Sequence, residues 1–242
     1  MMDEHEIALR AELADAFRIC HALGWSESVG NHFSAALDPD GIVFLLNPRW
    51  QHFATISPED LLTLNSGDPS VMTRDNAPDA SAWCIHGTIH RRLPSARVVL
   101  HVHSPYATAL ACLEDPTLWP IDNNTARFFG RVAYDLHFGG IADALEEGER
   151  IAEALSDKSV LVMGNHGVTV AGPTVADAFE DLYFFERAAQ TLMLAYATGR
   201  PLAVLEDKVA RDTAEGWVAY RGMAARHFNH LRTAYGLANN AG

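Results

Sequence analysis

The stretch ValValLeuHisValHisSerPro at residues 98–105 predicts a strand that carries a metal site. Its first residues are apolar, as in a buried strand, and Ser104 with Pro105 closes it. Side chains two apart in a strand project from the same face, so His101 and His103 point the same way. Two imidazole nitrogens on one rigid element can begin a transition-metal site. A HisXaaHis pair alone is about as often a structural or surface pair as it is part of a metal site. The prediction of a metal site therefore requires a third ligand.

A third histidine lies in GlyAsnHisGlyVal at residues 164–168. It follows the apolar run SerValLeuValMet at 159–163, which is typical of another buried strand. His166 therefore also stands at the end of a strand, between glycines that permit a tight turn. We predict a metal site formed by His101, His103 and His166.

Composition and charge argue against several classes of protein. The chain has 242 residues, of which 48% are hydrophobic, and we predict one domain over residues 1–242. A net charge of −13 argues against binding to nucleic acid or to anionic membranes. No apolar run approaches the ~18 residues of a membrane span, and the acidic N-terminus is unlike a signal peptide. The three cysteines, Cys20, Cys84 and Cys112, show no CxxC spacing, which is typical of a cytoplasmic protein.

Hydrophobic periodicity predicts interleaved helices and strands, and hence layers of an α/β or α+β fold. The predicted helices are 4–23, 82–93, 104–113 with Ser104 as its cap, 143–155 and 174–198. The predicted strands are 33–37, 42–46, 97–103 and 159–163, and the last is followed by a return strand to 170. The segments 65–80 and 114–140, rich in Asp, Asn, Pro and Gly, are predicted to be irregular.

Three motifs together resemble the class II aldolase/adducin family. They are ValGlyAsnHisPheSer at 29–34, HisValHisSerProTyrAlaThrAla at 101–109 and GlyAsnHisGlyVal at 164–168. The resemblance implies a three-layer α/β/α sandwich with a central, mainly antiparallel sheet. It also implies homotetramers with active sites at subunit interfaces. It maps the family's metal ligands onto the three histidines already named, with zinc as the usual metal and manganese, iron or cobalt in some branches.

One departure from the family pattern concerns catalysis. Aldolases of this family carry a catalytic Glu in a SerSerGlu motif, and the matching residues here are Ala80, Ser81 and Ala82. Alanine at position 82 moves no proton. This argues against standard sugar-phosphate aldol cleavage.

A second departure concerns the phosphate-binding positions. The segment AsnProArgTrp at 47–50 stands where those aldolases have a ThrGly pair. Arg49 can pair with a carboxylate through its planar guanidinium, and Trp50 offers an apolar wall. With Asn31 and Ser81, Arg49 is predicted to bind a small carboxylate or carbonyl substrate. The alternative is that Arg49 is a surface residue after a turn.

These residues predict a metal-dependent lyase that breaks a C–C bond of a small hydroxy- or oxo-carboxylic acid through a metal-stabilised enolate, by decarboxylation or retro-aldol cleavage. Decarboxylation ranks first because it needs no base to deprotonate an alcohol. Tyr134 is the candidate proton donor, because the resemblance implies a tyrosine in this segment that reaches a neighbouring subunit's site, and the alternative is a half-buried structural tyrosine. His52, Asp79 and His86 are weaker candidates. The alternatives are a three-histidine non-haem iron oxygenase and a non-catalytic metal-binding scaffold.

Overall fold

The computed structural model describes residues 2–137, 145–220 and 222–237. Within these ranges the helices are α1 Glu4–Ala22, α2 Ala80–Arg92, α3 Pro105–Ala111, α4 Asn123–Ala126, α5 Leu145–Leu155, α6 Val175–Ala197, α7 Asp207–Ala219 and α8 Met223–Ala234. The strands are β1 His32–Ala36, β2 Val43–Leu46, β3 Leu62–Asn65, β4 Val98–Val102, β5 Val132–Asp135, β6 Val160–Met163 and β7 Gly167–Gly172. Short 3₁₀ helices occupy Phe53–Thr55, Pro58–Asp60 and Pro69–Thr73.

The strands form one sheet in the order β3-β2-β1-β4-β7-β6-β5. Every described strand pair is antiparallel except β5–β6, which is parallel. Strand β4 lies at the centre of this order and is paired with β1 on one side and β7 on the other. The mainly antiparallel central sheet is therefore confirmed.

Helices cover both faces of the sheet. On one face the larger core packs residues of α1, α3, α6 and α8 against strand residues such as Phe33, Leu100 and Val102. On the other face α2 and α5 pack in smaller clusters against residues such as Val99 and Leu161. The predicted three-layer α/β/α sandwich is confirmed.

Strand β5, Val132–Asp135, corrects the prediction that 114–140 is irregular. It is a four-residue edge strand, and its extended conformation depends on pairing with β6, which is distant in sequence. The predicted start of a helix at 143 lies outside the described residues. The single domain over 1–242 likewise includes positions outside them and stays a prediction.

The prediction that the hydroxyl of Ser104 caps α3 was wrong. The Ser104 side chain caps no backbone N–H of α3. Its hydroxyl instead donates to Glu186 Oε2 over 2.7 Å, and the same carboxylate accepts from the backbone N–H groups of Tyr106 and Ala107, each over 2.8 Å. A carboxylate of α6, only 3% exposed, thus satisfies the first turn of the helix that follows His103.

Replacing Glu186 tests this cap. We expect Glu186→Ala to lower the free energy of unfolding by about 2–4 kcal/mol, because two buried N–H groups and a hydroxyl lose their acceptor. Urea unfolding followed by circular dichroism measures the change. Arg187→Ala, at an exposed position of the same helix, is the control and should change stability by about 0.5 kcal/mol or less. Equal losses in the two variants would contradict the capping role.

Candidate metal centre

The three predicted ligands converge at one end of the sheet. His101 lies near the end of β4, His103 follows it, and His166 lies in the turn between β6 and β7. Their candidate ligand atoms all lie within 4.8 Å of one another. The Nε2 atoms of His101 and His103 are 3.0 Å apart, and the ring of His166 has its centroid 4.9 Å and 4.8 Å from those two rings.

Glycine at position 167 permits this approach. A Cβ atom there would lie 2.6 Å from the His103 ring and 2.6 Å from the carbonyl oxygen of Val102. Real Cβ atoms do not come so close to backbone, so only glycine lets β7 start beside His103.

A hydrogen-bond chain fixes the orientation of His101. The Thr169 hydroxyl donates to the sulfur of Met163 over 3.3 Å, and a thioether has no proton to give. Thr169 therefore accepts from Nδ1–H of His101, 3.1 Å away. With the ring proton on Nδ1, Nε2 of His101 carries a lone pair.

A carboxylate fixes the position of the ring proton of His103. Glu27 Oε2 lies 2.6 Å from Nδ1 of His103 and accepts its proton. With both rings neutral, both Nε2 atoms are acceptors, and two acceptors 3.0 Å apart do not hydrogen-bond to each other. A cation satisfies both, since tetrahedral Zn–N bonds of 2.0–2.1 Å place two nitrogens about 3.3 Å apart. The donor set therefore fits a metal ion.

The protonation of the ligands also suits a metal. Burial, with the neighbouring histidines, holds the pKa of His101 well below its usual range. Burial and then His103 lower the pKa of His166 to about 4. Both rings are thus neutral at pH 7, the form that binds metal. Three imidazole ligands leave one position open on a tetrahedral ion, which is the pattern of catalytic rather than structural sites.

A cavity of about 100 Å³ lies near this centre, and none of the three predicted ligands lines it. Its wall includes all three predicted substrate-binding residues, Asn31, Arg49 and Ser81, together with Val29, Gly30, His32, Asn47, Trp50, Asp79 and Ala82. His32 links the cavity to the metal ligands, because its ring stacks on that of His101 with centroids 4.7 Å apart. The cavity wall thus brings residues from three separate segments together, 29–32, 47–50 and 79–82.

The polar groups of the cavity differ in whether they already have a hydrogen-bond partner. Asn31 Oδ1 accepts from the backbone N–H of Glu27, but its buried Nδ2 has no partner among the described residues. The guanidinium of Arg49 stacks on the ring of Trp50, 4.2 Å from its centroid. Ser81 is committed, since its hydroxyl donates to Asp79 Oδ1 over 2.6 Å.

No carboxylate side chain occupies position 82, and the nearest one in the wall is Asp79. Asp79 caps α2 by accepting from the backbone N–H of Ala82. Burial raises the pKa of Asp79, but hydrogen bonds from Ser81 and from the backbone N–H of Ala82 help to outweigh burial and lower it. Asp79 is therefore ionised at neutral pH and is a hydrogen-bond acceptor.

The sequence analysis missed His32 and Glu27. His32 lies in a quoted motif, and its spacing from Ser34 would place both on one face of a strand. What the sequence does not give is the register, which sets His32 directly opposite His101. Glu27 lies in a turn, and no local pattern connects it with His103.

Tyr134 lies away from the histidines of its own chain. Along β5, Val132 packs in the larger core while Ala133 packs on the α2/α5 face. Tyr134 alternates back to the face of Val132, opposite the histidines, and its hydroxyl accepts from the backbone N–H of Leu118 over 2.9 Å. Its predicted reach into a neighbouring subunit's site stays a prediction.

The sequence profile described as the Class II Aldolase and Adducin N-terminal domain matches residues 11–193. The chain belongs to the class II aldolase and adducin family. A crystal structure of an aldolase II superfamily protein from Pseudomonas syringae superposes with a TM-score of 0.87, is 29% identical, and covers 98% of this chain and 96% of its own.

Two relatives within this family have names that describe reactions. A protein from Streptomyces niveus named decarboxylase NovR is 26% identical, over 90% of this chain and 83% of the relative. A protein from Streptomyces roseochromogenus subsp. oscitans named 4-hydroxy-3-prenylphenylpyruvate oxygenase/4-hydroxy-3-prenylbenzoate synthase is also 26% identical, over 90% of this chain and 81% of the relative.

The role of Thr169 in orienting a metal ligand is testable. We expect Thr169→Val, which keeps the shape but removes the acceptor for Nδ1–H of His101, to weaken zinc binding about 10- to 100-fold. Thr169→Ser keeps the hydroxyl and is the matched control, with affinity near that of the wild type. Competition with a chelating dye measures both. Unchanged affinity in the valine variant would rule out this orienting role.

Proposed function

We propose that this class II aldolase and adducin family member is a metal-dependent lyase that breaks a C–C bond of a small hydroxy- or oxo-carboxylic acid, by decarboxylation or retro-aldol cleavage. The observation that carries the proposal is the convergence of three histidines, with the Nε2 lone pairs of His101 and His103 directed at each other, beside a cavity that contains Arg49.

The cavity favours a carboxylate as the anchoring group. Among the described residues no carboxylate forms an ion pair with Arg49, so its planar guanidinium has donors to offer. The unpartnered Nδ2 of Asn31 supplies a further donor in the same wall. Burial of that group without a partner is costly, and a bound oxygen atom would remove the cost.

The bond-breaking step needs an electron sink. A divalent ion held by the three histidines would supply one, by stabilising negative charge that develops on a substrate oxygen. Arg49 and Asn31 would hold the carboxylate, while the apolar side chain of Ala82 contributes no base. Decarboxylation requires no deprotonated alcohol, which is why we rank it above retro-aldol cleavage.

The finer assignments are proposals as well. We infer zinc as the metal, a cytoplasmic location, and a homotetramer in which Tyr134 of one subunit would protonate the carbanion that C–C cleavage leaves in the next subunit's site. No disulfide joins Cys20, Cys84 and Cys112, which is compatible with a reducing compartment. None of the helices in the described ranges has the length and apolar character needed to cross a bilayer. Exposed apolar side chains support subunit contacts and include Leu194, Val209, Val218 and Tyr220.

An oxygenase is the second candidate function. The observation that favours it is the relative whose name includes oxygenase and synthase activities. A site of three histidines, without a bound carboxylate, would then hold Fe(II) in place of zinc. The two candidates differ in whether oxygen is consumed.

Turnover of a substrate panel tests the lyase proposal. Zinc- or manganese-loaded protein should release carbon dioxide or a carbonyl product from an aromatic or aliphatic hydroxy- or oxo-acid under anaerobic conditions, and His101→Ala should abolish it. His230→Ala, at an exposed position of α8, is the control. Product formed only by iron-loaded protein with oxygen uptake would favour the oxygenase. Stoichiometric metal without turnover of any acid would favour a non-catalytic scaffold.

Arg49 has its own test. For a carboxylate substrate we expect Arg49→Ala to raise KM about 10-fold or more with a smaller effect on kcat, because a charge-assisted hydrogen bond contributes roughly 1.5–3 kcal/mol. Arg200→Ala, at an exposed position after α6, is the matched control. Steady-state kinetics measures both. An unchanged KM would remove Arg49 from the substrate site.

A further inference from the structure

A buried row of polar side chains runs behind the cavity, between β1 and α2. Nδ1 of His32 lies 2.7 Å from Nε2 of His86, and Nδ1 of His86 lies 2.5 Å from the Ser34 oxygen. That oxygen lies 2.7 Å from Nε2 of His90, whose Nδ1 lies 2.7 Å from the backbone carbonyl oxygen of Ala96. We call these four side chains and the carbonyl the histidine chain.

The carbonyl of Ala96 gives the histidine chain its direction. A carbonyl oxygen only accepts, so His90 carries its proton on Nδ1 and its Nε2 accepts from the Ser34 hydroxyl. Ser34 has one proton and has donated it, so it accepts from Nδ1–H of His86. Nε2 of His86 then accepts from Nδ1–H of His32.

This direction holds for neutral rings. Burial lowers the pKa of His90 to about 4 and holds the pKa of His86 well below its usual range. At His32 the Nδ1–H that is donated to Nε2 of His86 sets the same tautomer by geometry. A neutral imidazole with its proton on Nδ1 has a lone pair on Nε2. Nε2 of His32 is therefore an acceptor.

His32 is only 8% exposed, yet it lines the same cavity wall as Arg49 and Asn31. Because Nδ1 is bonded to His86, Nε2 is the ring nitrogen that His32 can offer to that cavity. Within the described part of the chain, Nδ1 is the one ring nitrogen of His32 with a hydrogen-bond partner. The histidine chain holds this ring against rotation, since a flip would break its bond to His86.

We infer that Nε2 of His32 accepts a hydrogen bond from a hydroxyl group of the substrate and so selects hydroxy-acids over the corresponding oxo-acids. The inference rests on the proposed function, because it assumes that a carboxylate binds in this cavity. A hydroxyl has a proton to donate to His32, whereas a ketone oxygen meets the lone pair of Nε2 with its own. His86, Ser34 and His90 are positioning residues, since they act through His32.

The first test reads the positions of the ring protons. In ¹⁵N–¹H spectra of zinc-loaded protein labelled at histidine, we expect His32, His86 and His90 to carry their proton on Nδ1. Ser34→Ala should leave His90 in that form but let His86 and His32 populate both forms, because the direction is no longer transmitted. A proton on Nε2 of His32 in the wild type would overturn the inference. So would a Nε2 shift on zinc loading that matches that of His101, because the lone pair would then be bound to metal.

The second test measures selectivity by calorimetry on zinc-loaded protein. The probes are lactate with pyruvate and mandelate with benzoylformate, pairs that differ at the oxygen next to the carboxylate. We expect His32→Phe, which keeps a ring stacked on His101, to reduce the preference for the hydroxy-acid by about 2- to 12-fold, the equivalent of one hydrogen bond. His227→Phe, on α8 at the other face of the sheet, is the control and should keep the wild-type ratio.

The outcomes separate the two proposals. If the wild type binds both acids of a pair and the ratio is the same in His32→Phe, the role of His32 fails while the proposed substrate class stands. If neither acid binds, the proposed substrate class fails and the inference fails with it. Should His32→Phe not fold, Ser34→Ala is measured in its place and a smaller loss of selectivity is expected.

Discussion

Strand β4 lies at the centre of the sheet, and the alternation of its side chains places apolar residues on one face and histidines on the other. Val98, Leu100 and Val102 pack in the larger core, so the strand is anchored by apolar burial. His101 and, after the strand, His103 then point to the α2/α5 face. Pairing on both edges sets His32 and Thr169 directly opposite His101. A one-residue shift of register would send these side chains to the apolar face, so core packing also maintains the histidine cluster.

Groups that can only accept hydrogen bonds orient the imidazoles. The sulfur of Met163 acts through Thr169 on His101, and the carboxylate of Glu27 acts directly on His103. The carbonyl of Ala96 acts through the histidine chain on His32. In each case the proton is held on Nδ1 and the lone pair is left on Nε2. The Nε2 lone pairs of His101 and His103 are thus available to a cation, and that of His32 is available to a hydrogen-bond donor in the adjacent cavity.

The parts of the fold that follow from local pattern were predicted, and the parts that follow from pairing were not. Periodicity gave the strand 97–103 and the long helix before Gly199 within a residue or two. Strand β5 was missed because four residues at a sheet edge carry no periodic signal of their own. The cap of α3 was assigned to Ser104, the locally obvious residue, while Glu186, 82 positions away, performs that task. Arg49, Asn31 and Ser81 reach one cavity, yet their contact with a substrate remains a prediction.

The sequence by itself predicted the candidate ligand set, His101, His103 and His166, and showed alanine at position 82, because these depend on residue type and strand spacing. It also carried the family and its layered fold through three short motifs. Only the tertiary structure decided which tautomer each histidine adopts and that His32 stands beside the metal centre. The physical reason is that a ring nitrogen's role is set by the partner of the other nitrogen. Those partners, Thr169, Glu27 and His86, come from strands, turns and helices that lie far apart in the chain.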